Sequence, residues 1–168
     1  MLQFIYSMKL SSLILLMLIL LLFWSCVDTL MQHRTAWKTM NALFALLSLL
    51  AILYTTILNR SQGSHEVNLR PFASLIAAVK QPEIYRAMLM NVFLFFPFGL
   101  SFSTALPGKH KTSLKIILTT IVGCALSIAV EYTQYRYGLG VSEVDDVICN
   151  TIGMFFGSTA LIIMRKLQ

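Results

Sequence analysis

The sequence predicts an all-α protein, a polytopic membrane bundle of about five transmembrane helices. Of its 168 residues, 57% are hydrophobic and only 12% are charged, whereas soluble domains carry about 25% charged residues. Five stretches are long and apolar enough to cross a hydrocarbon core of about 30 Å as helices. They are Leu10–Val27, Met40–Leu58, Ala87–Leu106, Ile116–Tyr135 and Val147–Met164. The chain is therefore predicted to be a multi-pass integral protein of the cell membrane, with its backbone polar groups paired inside each helix.

The predicted organisation places two transmembrane helices in residues 1–60 and a core with three in residues 61–168. The first apolar stretch is expected to stay as a helix, because no A-x-A cleavage pattern of a secretory signal follows it. Residues 59–86 form the one long connection, in which "PFASLIAAVK" predicts a short helix with Pro71 in its first turn. Its apolar face would carry Phe72, Leu75, Ile76 and Val79. That helix is too short to cross a membrane, so it either lies in the interface or packs on the other helices.

The net charge of +6 fits lysines and arginines that flank membrane helices, and in a chain this apolar it predicts no nucleic-acid binding. The basic residues divide almost evenly between the two sides of the predicted bundle. The shorter connections, which include Lys109, Lys111 and Lys115, carry theirs at the higher density, as cytoplasmic loops do. We therefore expect the N-terminus outside and the C-terminus inside, although Lys9 opposes this orientation. The acidic loop after the fourth span would then face the outside of the cell.

Four of the seven acidic residues lie between residues 131 and 146, and the sequence on both sides is almost entirely apolar. Glu131 and Gln134 are three residues apart, so they share one helix face. Asp146 and Asn150 share a face at the start of the last span, and Asn91 opens the third span. The residues expected to meet at one end of the bundle and bind a ligand are Asn91, Glu131, Gln134, Asp145, Asp146 and Asn150. For the two aspartates, the alternative is a structural role at a helix start, where the helix dipole favours carboxylates.

Two further patterns predict how the helices pack and where one of them is irregular. Gly153 and Gly157 form a G-x-x-x-G on the same face as Asn150, and such a pattern lets another helix approach closely. Pro97, followed closely by Gly99, predicts a kink or a break in the third span. That irregularity either lies beside a cavity or is a proline kink without a site.

A pocket rich in carboxylates and amides suits a hard cation, a cationic ligand, a hydroxyl-rich head group or proton handling. It does not suit zinc, because no histidine or cysteine spacing typical of zinc accompanies it and the three cysteines lie far apart. No metal and no cofactor is predicted. The sequence also contains no nucleophile elbow, no P-loop and no H-E-x-x-H pattern.

These spaced motifs resemble the VanZ-like family of bacterial membrane proteins. The resemblance rests on Asn91 with "FFPFG" at 95–99, on Glu131 with Gln134, and on "DDVICNTIG" at 145–153. The "VNLRPF" that precedes them is similar to a stretch upstream of the core in many members, so the resemblance covers roughly residues 67–160. Members often carry an arginine a few residues before the acidic pair. This chain has "GLGVSEVDD" there, and Arg136 is the nearest candidate.

The resemblance implies a protein that accompanies resistance to the glycopeptide antibiotic teicoplanin without belonging to the enzymes that remodel the peptidoglycan precursor. The first hypothesis is a cell-envelope protein whose outward polar pocket binds a membrane lipid or a lipid-linked envelope ligand. The second is a small ion- or proton-coupled transporter, which Glu131 and the Pro97 irregularity would suit, with a homo-oligomer supplying symmetry. The third is an enzyme acting on a lipid head group, with Glu131 or Asp146 as acid or base, for which the sequence supplies no nucleophile.

Overall fold

The computed structural model describes residues 10–31, 35–107 and 111–167, so the predictions about Lys9 and Lys109 lie outside the described residues. In chain order, the elements are α1 (Leu10–Met31), α2 (Thr35–Leu53) with a π-helical end (Tyr54–Leu58), β1 (Val67–Asn68), α3 (Ala73–Ala78), α4 (Pro82–Ala105), α5 (Thr112–Tyr137), β2 (Ser142–Glu143) and α6 (Val144–Leu167). Five long helices coincide with the five apolar stretches of the sequence. The predicted all-α bundle is therefore confirmed.

Three helices in the described part of the chain are long and apolar enough to cross a membrane. They are Thr35–Leu58, Pro82–Ala105 and Thr112–Tyr137. Two helices begin before the apolar stretches that predicted them, since α2 starts at Thr35 rather than Met40 and α4 starts at Pro82 rather than Ala87. Polar first turns explain this difference, because they continue the helix beyond the hydrocarbon core. A proline suits the first turn of α4, where its missing N–H costs no intrahelical bond.

The tightest packing in the bundle lies between α4 and α6, and α6 also packs against α5. A Cβ atom at Gly153 or Gly157 would overlap a backbone carbonyl oxygen of α4. A Cβ at Gly99 would lie 2.9 Å from the Cα of Met154 on α6. Small residues on both helices thus let the two backbones approach closely. Phe95 and Met154, both fully buried, fill the adjoining core.

The third predicted span is continuous at Pro97, which corrects the predicted break, because α4 runs as one helix from Pro82 to Ala105. The proline is exposed on the outer surface of the bundle, whereas Phe96 and Phe98 on either side are buried. A proline on the outward face removes one backbone hydrogen bond without disturbing the close contact with α6. Pro97 therefore belongs to the outer surface of α4 and not to the polar end of the bundle.

A buried carboxylate joins α1 to α2 at the end of the bundle opposite to the acidic cluster. The Trp37 indole N–H donates a 2.7 Å hydrogen bond to Asp28, and both residues are buried. The Trp24 ring packs against Trp37 and Phe44 at centroid distances of 5.6 and 4.8 Å. Because a buried carboxylate is costly without hydrogen bonds, this contact gives Asp28 a structural role in the first helical hairpin.

Residues 59–68, here called the strap, cross the end of the bundle where α5 ends and α6 begins. Their strand β1 pairs in parallel with β2. The Gly63 N–H donates a 2.6 Å hydrogen bond to the Gly138 carbonyl, and the His65 Nδ1 lies 2.7 Å from the Tyr135 carbonyl oxygen. The sequence did not predict this pairing, because strands of two residues carry no periodicity. The strap therefore binds the end of α5 and the β2 segment, next to the acidic residues.

The short helix α3 begins at Ala73, so the prediction that Pro71 occupies its first turn is corrected by two residues. Phe72 precedes the helix with a φ of 64°, a left-handed conformation that is unusual for a bulky residue. Neighbouring structure must hold Phe72 in this conformation. All four residues of the predicted apolar face are exposed: Phe72, Leu75, Ile76 and Val79.

Candidate functional site

Three of the six predicted ligand residues come together where α4, α5 and α6 converge. The Asn91 side chain of α4 hydrogen-bonds the Asp146 carboxylate of α6. The charge of Asp146 acts in turn on Glu131 of α5, which is only 6% exposed. We call Glu131 and Asp146 the acid pair. Two carboxylates that repel each other in a partly buried position favour any cation, hydrogen-bond donor or proton that reaches them.

The chain reversal after α5 covers Glu131. Gly138 ends the helix with a φ of 61°, the left-handed conformation that glycine adopts readily. The chain then turns back, so that the Glu143 N–H donates a 2.9 Å hydrogen bond to the Glu131 carboxylate. The Ser142 side chain hydrogen-bonds the same carboxylate. Glu131 is therefore held by the segment that joins its own helix to α6.

Asp145 holds the start of α3. Its two carboxylate oxygens accept hydrogen bonds of 2.6 Å from the Phe72 N–H and 2.7 Å from the Ser74 N–H. The Ser74 hydroxyl adds a 2.8 Å hydrogen bond to Glu143. Adjacent residues of a helix point about 100° apart, which explains why Asp145 serves α3 while Asp146 meets Asn91. These contacts give Asp145 a structural role at the start of α3, which differs from the role at the start of its own helix that the sequence suggested.

Gln134 binds the neighbouring helix α2. Its side-chain amide donates a 2.9 Å hydrogen bond to the Thr56 carbonyl in the π-helical end of α2. A π-helix shifts the backbone hydrogen bonds of its turn, and Gln134 supplies a donor to a carbonyl there. The shared helix face of Glu131 and Gln134 thus reaches two neighbours, the β2 segment and α2. Gln134 ties α5 to α2.

Asn150 lies one turn of α6 below Asp146 and donates a 2.8 Å hydrogen bond to the Ser127 hydroxyl of α5. Within the described residues, the amide oxygens of Asn150 and Gln134 are buried without a hydrogen-bond partner. A buried acceptor left unpaired costs about 1–3 kcal/mol. Both oxygens can therefore accept a hydrogen bond from a bound donor group or a water molecule.

Arg60 of the strap is the basic residue of the site. Its positive charge acts on both members of the acid pair, and its Nη1 lies 3.2 Å from the place where a Cβ of Gly140 would stand. Arg136, which the sequence suggested as the nearest arginine, is exposed on the last turn of α5. No signal in the sequence indicated Arg60, because it lies in a polar loop far along the chain from both acids.

The side-chain groups available to bind a ligand at this end of the bundle are therefore a carboxylate pair, amides and the Arg60 guanidinium. Carboxylates and amide oxygens bind ammonium and hydroxyl groups, and a guanidinium binds phosphate or carboxylate. Within residues 10–31, 35–107 and 111–167, no group of three or more histidine, cysteine, aspartate or glutamate side chains is arranged to hold a metal ion. The arrangement favours a polar organic group that carries both hydrogen-bond donors and an anionic part.

Comparison of the sequence with known proteins places this chain in a family. Over residues 10–165, the sequence matches the family VanZ/LLP1. The chain belongs to the VanZ/LLP1 family. The match confirms the resemblance carried by the motifs, and it extends over the N-terminal helices as well. The chain is also 29% identical over 102 residues to Protein VanZ from Enterococcus faecium.

That alignment covers 61% of this chain and 55% of the Enterococcus faecium protein, so the chain spans about half the length of this curated VanZ relative. No solved structure matches this VanZ/LLP1 chain. The acid pair, Asn91 and Arg60 all lie within the residues that match the family. The site is therefore part of the VanZ/LLP1 region of the chain.

Proposed function

We propose that this chain is a bacterial cell-envelope membrane protein that binds the head group of a membrane lipid or a lipid-linked envelope ligand and thereby lowers susceptibility to teicoplanin-type glycopeptides. Membership of the VanZ/LLP1 family supports the envelope role, and the similarity to Protein VanZ supports the link to resistance. The polar site at one end of the spanning helices supports ligand binding. That end is where a lipid-borne head group would be presented.

The observation that carries the proposal is the meeting of the acid pair, Asn91 and Arg60 where α4, α5 and α6 converge. Carboxylates near lipid are costly unless they find partners. They are therefore rare there, and those that occur often belong to functional sites. The acid pair has the Asn91 amide, the β2 segment and the charge of Arg60 around it, which leaves carboxylate oxygen capacity for a donor from a ligand. Arg60 lies close enough to the acid pair to bind an anionic group of the same ligand.

The resistance part of the proposal predicts that expression of the native chain raises the teicoplanin concentration needed to inhibit a sensitive bacterium. Glu131→Gln and Asp146→Asn are expected to abolish this increase, because each removes one charge of the acid pair while keeping the shape of the side chain. The measurement is the minimum inhibitory concentration at matched protein levels in the membrane, determined by immunoblot.

The matched control is Glu83→Gln, which makes the same chemical change at an exposed position in the first turn of α4. This variant is expected to behave like the native chain. Equal susceptibility of the cells with and without the native chain would rule out the resistance role. Full resistance in both acid-pair variants would show that the acid pair is not the binding site.

Transport is the second candidate, because buried polar groups continue below Glu131 along α5. Ser127 and Thr119 follow at helical spacing and are fully buried, and the Thr119 hydroxyl has no hydrogen-bond partner within the described residues. Between them lies Gly123, and the Met154 side chain fills the space beside it. The polar groups therefore form two separate sets, divided by one apolar side chain.

This division predicts that vesicles reconstituted with the native chain leak protons no faster than empty vesicles. Met154→Ser is expected to raise the leak several-fold, because it removes the apolar side chain between the two polar sets. The measurement is the decay of an imposed pH gradient with a trapped pH-sensitive dye. Ile152→Ser, at a partly exposed position of α6, is the control. A proton flux through the native chain that Glu131→Gln abolishes would instead establish the transporter.

A further inference from the structure

The apolar face of α3 points away from the protein. Ile76 is 71% and Val79 is 86% exposed, and Phe72 and Leu75 are exposed as well. The opposite side of this short helix faces the bundle, where Ser74 is buried. Four large apolar side chains that share an outward face form a patch that water covers poorly. Something apolar must therefore cover the face in the cell.

Exposed tyrosines cluster at this end of the bundle. Tyrosines lie at the end of α2, near the start of α4 and in the last two turns of α5, at positions Tyr54, Tyr85, Tyr132, Tyr135 and Tyr137. All five are exposed. Tyrosine is enriched at membrane–water interfaces, where its ring lies in lipid and its hydroxyl reaches water. We call these residues the tyrosine belt.

The short helix lies at the level of this belt. It connects to α4 through a single turn, and Tyr85 follows within the first turn of α4. If the membrane surface lies at this level, the apolar face of α3 would meet the boundary between acyl chains and head groups. Arg70 before the helix and Lys80 after it are exposed and positively charged. Basic residues beside an apolar face are typical of segments that lie on anionic lipid.

We propose that residues 70–80 are a membrane anchor whose apolar face inserts at the head-group boundary and whose Arg70 and Lys80 bind the phosphates of anionic lipids. The partner is an anionic lipid surface, and the inference does not depend on the identity of the site ligand. Through Asp145, which accepts hydrogen bonds from Phe72 and Ser74, the anchor holds the start of α6 at the level of the head groups.

Insertion is tested with a nitroxide spin label at Ile76→Cys, in a variant whose three native cysteines are replaced, reconstituted into nanodiscs of phosphatidylcholine and phosphatidylglycerol. We expect the label to collide with oxygen far more often than with a water-soluble nickel chelate. A label at Gln62→Cys in the strap, which is exposed, is expected to show the reverse. Equal chelate access at positions 76 and 62 would overturn the anchor. Poor access of both reagents at position 76 would show a protein contact in place of lipid.

Lipid selectivity is tested with a fluorophore at the same Ile76→Cys position and nitroxide-labelled lipids at equal mole fraction. We expect the phosphatidylglycerol probe to quench more strongly than the phosphatidylcholine probe, with a preference of about fivefold for each basic residue. The double variant Arg70→Gln and Lys80→Gln is expected to lose the preference while quenching by phosphatidylcholine persists. Equal quenching by both lipids with the two basic residues present would overturn the anionic partner.

Discussion

Replacing Gly153 with leucine is expected to lower the free energy of unfolding by about 3 kcal/mol. A Cβ at this position would overlap the Val92 carbonyl oxygen and lie 3.1 Å from the Val92 Cα. Both atoms belong to the backbone of α4 and cannot rotate away, so α4 and α6 must move apart. Asn91, which precedes Val92, would then separate from Asp146. The measurement is unfolding of the purified protein in mixed micelles of increasing SDS fraction, followed by circular dichroism.

The control for this substitution is Ala125→Leu, which adds a leucine at an exposed position of α5. Its free energy of unfolding is expected to stay within about 0.5 kcal/mol of the native value. Gly153→Ala should fall between the two, because a single methyl group requires a smaller separation of the helices. Unfolding of Gly153→Leu at the same SDS fraction as Ala125→Leu would contradict the close packing of α4 on α6.

Replacing Asp145 with alanine is expected to release α3 from the bundle and to cost about 2–3 kcal/mol of stability. Hydrogen bonds to charged groups contribute about 1.5–3 kcal/mol each, and part of the loss is recovered when the freed N–H groups of Phe72 and Ser74 reach water. The left-handed conformation of Phe72 would also relax, because its N–H would no longer be held. The measurement is hydrogen exchange of residues 70–80, alongside global unfolding in SDS.

Two neighbouring substitutions separate this effect from general damage to the acidic cluster. Asp145→Asn keeps one acceptor oxygen and should lose roughly half of the protection in residues 70–80. Asp146→Asn changes a carboxylate that faces Asn91, so exchange in α3 should stay close to that of the native chain. Fast exchange in α3 with Asp146→Asn and slow exchange with Asp145→Ala would reverse the assignment of the two aspartates.

The long helices and the approach of Asn91, Glu131 and Asp146 to one another could be predicted from the sequence. Apolar runs of the length of a bilayer leave little choice of element, and polar residues within them must face the interior to avoid lipid. The G-x-x-x-G pattern likewise indicated a close helix contact. In each of these cases, the bilayer restricts which residue types a position can carry. The residue types along the chain therefore indicate where the helices lie and which polar residues face the interior.

The roles of Asp145, Gln134 and Arg60 could not be predicted. Asp145 binds backbone N–H groups, which every non-proline residue possesses, so its partners leave no mark in the sequence. Gln134 donates a hydrogen bond to a carbonyl in a π-helical turn, and no sequence pattern predicts the position of that turn. Arg60 reaches the acid pair through a strap whose path is set by backbone hydrogen bonds. In each case, the partner is a backbone group or a distant loop, for which residue type gives no signal.

The strap also bears on the order in which the protein is made. It emerges from the ribosome before α4, α5 and α6, yet β1 pairs with β2 and α3 is held by Asp145, and both β2 and Asp145 are synthesised later than α4 and α5. Contacts between segments so distant in sequence form late, because the intervening chain must be placed first. The residues of the strap and of α3 therefore acquire these partners only after α5 and the start of α6 have been made.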